Sequence, residues 1–228
     1  MIHAKLSASG SHQWSNCFGS IAAQVGIKDI SSFAASEGSA AHELADMLFN
    51  NIDIDSLIGT SLDEYPDITI DQNMVDYVHQ YVDLVKAIGG VQRYECRVDF
   101  SDWVPDGFGT SDAICIDGDM ITIIDLKYGK GIRVDAFENT QAILYALGAW
   151  YEESLVRDIT TIKMMIIQPR LDHVSEWTIT LDELLKWGEK LRQAAEMALR
   201  DDAPRIASDK ACQWCKAKAN CPELKQFS

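Results

Sequence analysis

Residues 109–131 read GTSDAICIDGDMITIIDLKYGKG. Two apolar, β-branched runs flank Asp117-Gly118, a pair that favours the two-residue turn of a hairpin. The spacing therefore predicts antiparallel strands over 110–116 and 120–127. Side chains along a strand alternate between faces, so Ile121, Ile123, Asp125 and Lys127 share one face while Thr122, Ile124 and Leu126 share the other. The first face begins apolar and ends charged. An acid and a lysine at the end of a buried strand are costly to desolvate, which points to a site rather than to packing. Asp112 lies on the paired strand, where its carboxylate can approach that of Asp125.

Upstream, residues 91–100 read as a further strand. Residues 71–88 predict a helix with an apolar stripe of Val75, Val78, Val82 and Val85, ended by Gly89-Gly90. The segment SEGSAAHELADMLFN, 36–50, predicts a helix that opens on a capping serine and carries His42 in its first or second turn. Downstream, an apolar helix is expected over 136–153, a strand over 161–168 stopped by Pro169, and a helix over 181–200. No repeat, low-complexity tract or linker divides the chain. It reads as one domain over 1–228, with a helical part to about residue 90, a core over about 91–200 and a tail over about 205–228.

Two carboxylates at hydrogen-bonding separation repel unless a cation lies between them, and oxygen ligands suit Mg2+ or Mn2+. Phosphodiester hydrolysis needs an activated water, charge stabilisation on the phosphorane and help for the leaving oxygen. Metals and an ammonium together supply all three.

On these residues the chain resembles the PD-(D/E)XK nucleases. GTSD followed by IIDLKYGKG is similar to their GxxD and (D/E)XK motifs. GSAAH, ending at His42, resembles the glycine-to-histidine motif of the RecB-like branch, and QAILY, with Gln141 and Tyr145, resembles its QxxxY motif. The resemblance implies an α/β fold with a restriction-endonuclease-like core, in the order α-β-β-β-α-β, plus added helices and a C-terminal cysteine-cluster tail. It also implies metal ligands at His42, Asp112 and Asp125, with the Leu126 carbonyl as an extra one. Lys127 would orient or activate the water, and Gln141 and Tyr145 would line a DNA path. Glu95, on the preceding strand, is an additional carboxylate, and Lys130 in the YGKG turn is placed to touch a phosphate. Each residue alone has a plainer reading: a chance D-x-K string, a capping histidine, a polar pair on a core helix. Their joint occurrence, in the family's order and on the expected elements, favours the nuclease.

Six cysteines stand at Cys17, Cys96, Cys115, Cys212, Cys215 and Cys221. Cys212-Gln-Trp-Cys215 with Cys221 close behind is a metal signal that leaves one ligand to be supplied. With Cys17, the pattern resembles iron-sulfur nucleases of the AddB type and CRISPR-associated relatives, in which one upstream cysteine joins a C-x2-C-x5-C tail. The resemblance implies a 4Fe-4S cluster stapling the two ends of the domain. Four thiolates also suit structural Zn2+, and the spacing leaves that alternative open. Cys96 and Cys115, among apolar neighbours in strands, read as small core residues.

With 20 basic and 35 acidic residues the net charge is −15, which is unusual for a nucleic-acid binder because Lys and Arg supply phosphate contacts. A metal-dependent nuclease must nevertheless gather carboxylates near its substrate, and the cations offset them. Weak, salt-sensitive DNA binding is expected without metal, with a recombination or annealing protein as a partner that adds grip. No apolar stretch approaches the roughly 20 residues of a membrane span, so a cytoplasmic location is expected, or the host cytoplasm for a phage product. The implied function is a Mg- or Mn-dependent deoxyribonuclease, an exonuclease acting on single-stranded DNA or duplex ends in recombination or repair. The alternative is a catalytically inactive scaffold of the same fold that binds DNA ends or a partner.

Overall fold

The computed structural model describes residues 4–28 and 32–227. In chain order the helices are α1 (Ser11–Trp14), α2 (Ser20–Ala23), α3 (Phe33–Phe49), α4 (Gln72–Ile88), α5 (Thr140–Glu153), α6 (Leu181–Ala198), α7 (Asp209–Cys212) and α8 (Pro222–Phe227). The strands are β1 (Val91–Asp99), β2 (Phe108–Asp117), β3 (Met120–Leu126), β4 (Thr161–Gln168) and β5 (His173–Thr180). They form one five-stranded mixed sheet in sequence order. Only β3 and β4 run parallel, and α5 makes the crossover that a parallel pair requires. From α4 to β4 the order is the α-β-β-β-α-β expected above, with β5 added at the edge.

The sheet's two faces carry separate cores. Ile114, Ile116, Ile121, Ile123, Met164 and Ile166 pack with residues of α5 and α6 and with Leu6 and Trp14. Ala113, Cys115, Ile124, Leu126, Met165 and Ile167 pack on the opposite face with α3 and α4. The hairpin turns at Gly118, whose φ of 57° is open to glycine at no steric cost. The strand register brings Ala113 opposite Ile124, so Asp112 and Asp125 are the next facing pair, where the apolar ladder ends.

Local chemistry sets the helix ends. Asp71 caps α4 by accepting from the Met74 amide at 2.8 Å, and Thr180 with Glu183 makes a capping box at α6. Two helix starts and one strand differ from expectation. The α3 helix starts earlier, because Ser32 rather than Ser36 is the cap. The α5 helix starts later, at Thr140, because Asn139 caps it by accepting from the Ala142 amide and Glu138 before it has φ 53°. The edge strand β5 was not anticipated: HVSEWTIT places polar residues among half-buried ones, and its entry turn at Pro169–Leu171 reads as a stop.

Alternation breaks in β1. Arg93 reaches Glu152 and Glu153 of α5, and Cys96 lies against the core on that same side, although an odd step separates them. Tyr94 stacks on Phe49 of α3, ring centroids 3.8 Å apart. The residue where the faces exchange is Glu95, with φ 45°. The register does not slip, since Tyr94 pairs with Ala113 and Cys96 with Ser111.

Candidate metal centre

The centre lies where β1, β2 and β3 meet helices from both sides. Helix α3 brings His42, and the strands bring Glu95 and Asp112. One ligand atom from each falls within 4.8 Å of the others, the group of this kind found among the described residues. His42 Nδ1 lies 3.4 Å from Asp112 Oδ1. Asp112 Oδ2 accepts from the Leu126 amide at 2.7 Å, which ties the carboxylate to β3. In an extended strand the amide and carbonyl of one residue point to the same edge, so the Leu126 carbonyl faces the Asp112 side.

The expected triad was His42, Asp112 and Asp125, and the geometry differs in one member. Asp125, 3% exposed, stands outside the 4.8 Å group, whereas Glu95 belongs to it. An ion pair explains the difference: Lys127 Nζ lies 2.8 Å from Asp125 Oδ2 and competes for the carboxylate. The contact is poorly aligned as a hydrogen bond, and Asp125 Oδ2 is a buried oxygen without another partner. Lys127 Nζ also donates to Gln141 Oε1 at 3.0 Å, and Gln141 Nε2 donates to the Tyr145 hydroxyl at 3.3 Å. The two α5 residues thus hold the lysine head. Gly109 is needed beside them, because a Cβ there would come within 2.7 Å of the Tyr145 ring.

Electrostatics follow from crowding three carboxylates around one imidazole. Burial would lower the His42 pKa, but Asp112, then Asp125 and Glu95, raise it to about 9. Glu95 is pushed up to about 7 by desolvation in the recess and by Asp112. As the residue is exposed overall, water weakens the first cause and the like-charge repulsion weighs more. Burial would raise Asp112, yet the His42 cation holds it below the usual carboxylate range. Burial raises Asp125, against the pull of Lys127. Lys127 is raised by Asp125 despite its own burial. The donor set of one imidazole and two carboxylates fits a hard divalent cation that accepts imidazole.

A match to the family described as Protein of unknown function (DUF2800) runs over residues 3–228. The chain belongs to DUF2800. This DUF2800 chain is similar to two solved structures. SSO0001 has 15% identity and a TM-score of 0.36, with 88% of this chain and 90% of that chain covered. A protein named "Putative exonuclease", from Eubacterium rectale, has 11% identity and a TM-score of 0.45, covering 94% and 87%.

At the other end of the DUF2800 chain, its tail docks on the N-terminal helices. Gln13 Nε2 donates to the Ala211 carbonyl at 3.2 Å, and the Lys216 amide donates to Gln24 Oε1 at 3.1 Å. Cys17 Sγ accepts from the Ile206 amide at 3.2 Å. Burial, and then Cys215, Cys212 and Cys221 as neighbours, raise the Cys17 thiol against that hydrogen bond. No three of the four sulfurs gather within 4.8 Å among the described residues. Cys115 is buried and Cys96 half-buried, as core residues.

Three features around the centre have no counterpart among the expected site residues. Arg170 donates to Glu37 of α3 at 2.6 Å and lies 4.7 Å over the Tyr128 ring, linking the helix that carries His42 to the end of β3. Gln168, 1% exposed, clamps the loop after β3. The QPR sequence that closes β4 holds both Arg170 and Gln168, and the one legible hint was a polar cluster at a strand's C-terminal end. The third is the backbone of Glu95, which no sequence pattern announces.

Proposed function

We propose that this chain is a metal-dependent deoxyribonuclease of the PD-(D/E)XK, RecB-like type, hydrolysing phosphodiester bonds at DNA ends or in single strands. The observation that carries the reading is the convergence of His42, Glu95 and Asp112 beside the Asp125–Lys127 pair. His42, Asp112 and Glu95 would hold Mg2+ or Mn2+, with Asp125 and the Leu126 carbonyl at its margin. The bound cation supplies Lewis acidity toward the phosphate and lowers the pKa of its water.

The chain's own groups do the rest. Lys127, with its pKa raised, is an ammonium at neutral pH. Held between Asp125 and Gln141, it offers a charge-assisted donor to a phosphate oxygen or to the attacking water. Tyr145 fixes Gln141, so the amine does not swing freely. Cys17, Cys212, Cys215 and Cys221 are proposed to hold a 4Fe-4S cluster that staples the tail. Structural Zn2+, which four thiolates also suit, is the alternative.

Incubation of labelled single-stranded and blunt duplex DNA with Mn2+ tests the reading, beside an Asp125→Ala control. Cleavage by the wild type and its loss in the control are expected. Equal absence of cleavage in both would favour the inactive scaffold.

A further inference from the structure

The segment between β3 and α5, residues 127–139, crosses the sheet's end from Lys127 to the cap of α5. Its course is pinned by buried polar contacts. Gln168 Oε1 accepts from the Val134 amide at 2.7 Å, and Gln168 Nε2 donates to the Ile132 carbonyl at 3.0 Å. His173 Nε2 lies 3.2 Å from the Val134 carbonyl, and Ser175 Oγ accepts from the Ala136 amide at 2.9 Å. The loop is therefore fixed from Ile132 to Ala136, and what it presents outward is informative.

Lys130 and Arg133 are both exposed and have no ion-pair partner among the described residues, although the chain's net charge is −15. Of the acids on the same segment, Asp135 is 70% exposed and lies 3.5 Å from His173, which neutralises it only when protonated, and Glu138 lies 4.0 Å from Lys210. Beyond Arg133 stands Phe137, 64% exposed. Its ring is braced edge-on against Trp177, centroids 5.4 Å apart, and Trp177 is braced in turn against Trp187. Four residues on, Gln141 holds the Lys127 ammonium.

We propose that this loop is a track for a single DNA strand, with Lys130 and Arg133 on successive phosphates and Phe137 stacking an unpaired base. The inference rests on the nuclease reading for what happens at the end of the track. It adds the residues that would choose the single strand over the duplex. Along the strand, a braced ring can stack only on a base that is unpaired, and two unpaired cations suit a phosphate backbone rather than a protein of this chain's own sign.

Binding of a fluorescein-labelled oligo(dT) and of a blunt duplex, measured by anisotropy with Ca2+ in place of Mn2+, tests the track. Wild type should prefer the single strand. Phe137→Ala should weaken binding of the oligo(dT) by about 5- to 100-fold with an unchanged salt slope. Lys130→Ala with Arg133→Ala should lower the slope of log K against log salt by about 1.4, the loss of two single-strand phosphate contacts. Unchanged melting temperatures show that each exposed substitution leaves the fold intact. Equal affinity for duplex, or unaltered affinity and slope in the variants, overturns the proposal. Cleavage with Mn2+ separates the two readings. A wild type that binds as stated but never cuts removes the nuclease and keeps the track, whereas variants that bind and cut like wild type remove the track alone.

Discussion

Glu95 stands opposite Asp112 across the β1–β2 ladder, between the Tyr94–Ala113 and Cys96–Ser111 pairs, with its backbone in the left-handed region. Both the conformation and the apposition of like charges are unfavourable in a strand. Such features persist where the surroundings impose them, and they cluster at functional sites.

Replacing that glutamate by asparagine tests whether stability has been given up for ligation. Asn tolerates positive φ better and removes the charge. Glu95→Asn should stabilise the cation-free protein by about 1 kcal/mol, a few °C in melting temperature, while weakening Mn2+ binding at least tenfold. A calorimetric titration with Mn2+ that matches wild type would exclude Glu95 as a ligand.

Proton linkage gives a second expectation. Without a cation, His42 rises to about 9 from 6.5 and Glu95 to about 7 from 4.5. Both groups hold a proton more tightly when folded, so the stability they contribute is complete below the unfolded values and is lost as pH rises through the folded ones. The cation-free melting temperature should fall between about pH 4.5 and 9. A bound cation reverses the trend, since it displaces those protons. The rise in melting temperature on adding Mn2+ should therefore grow over the same range, and a rise that shrank with pH would remove these groups from the ligand set.

Gln141 acts through Lys127, so its loss should be read in turnover rather than in metal binding. Gln141→Leu removes the 3.0 Å acceptor and leaves the buried ammonium tethered by Asp125 alone. We expect kcat to fall roughly 10- to 100-fold with Mn2+ affinity unchanged. A matching loss of Mn2+ affinity would mean that the glutamine supports the whole pocket instead.

The tail makes a separate forecast. Cys17→Ser removes the sulfur that accepts the Ile206 amide and the one cysteine of the four that lies outside the tail. Anaerobically purified variant should lose its bound metal, as read by elemental analysis, and melt several degrees lower. Iron in the wild type supports the cluster, zinc supports the alternative, and full metal retention in the variant removes Cys17 from the set.

Much of this architecture was legible in residues 109–131, because period-2 alternation and an Asp-Gly turn specify a hairpin and its register places Asp112 beside Asp125. His42, Gln141 and Tyr145 were legible as motifs on helices, and the structure brings all three to the same end of the sheet. What pattern reading could not supply was competition between neighbours. Asp125, expected among the ligands, pairs with Lys127 and lies outside the His42–Glu95–Asp112 group, which depends on side-chain reach rather than on spacing. Glu95, expected as an additional carboxylate, joins that group through a backbone conformation that no propensity encodes. The edge strand β5 escaped because one face is wet and its partner lies across a turn containing proline.

The contact of Gln13 with Ala211 bridges residues 198 positions apart. At ordinary rates of translation, Ala211 is added some 10 to 40 seconds after Gln13. The face of the first helices that receives the tail must therefore stay uncovered until then, even though Ser11 meets Thr140 of α5 much earlier. A metal held by the four cysteines, as proposed, could be loaded only after that point, which would make loading a late step in the chain's maturation.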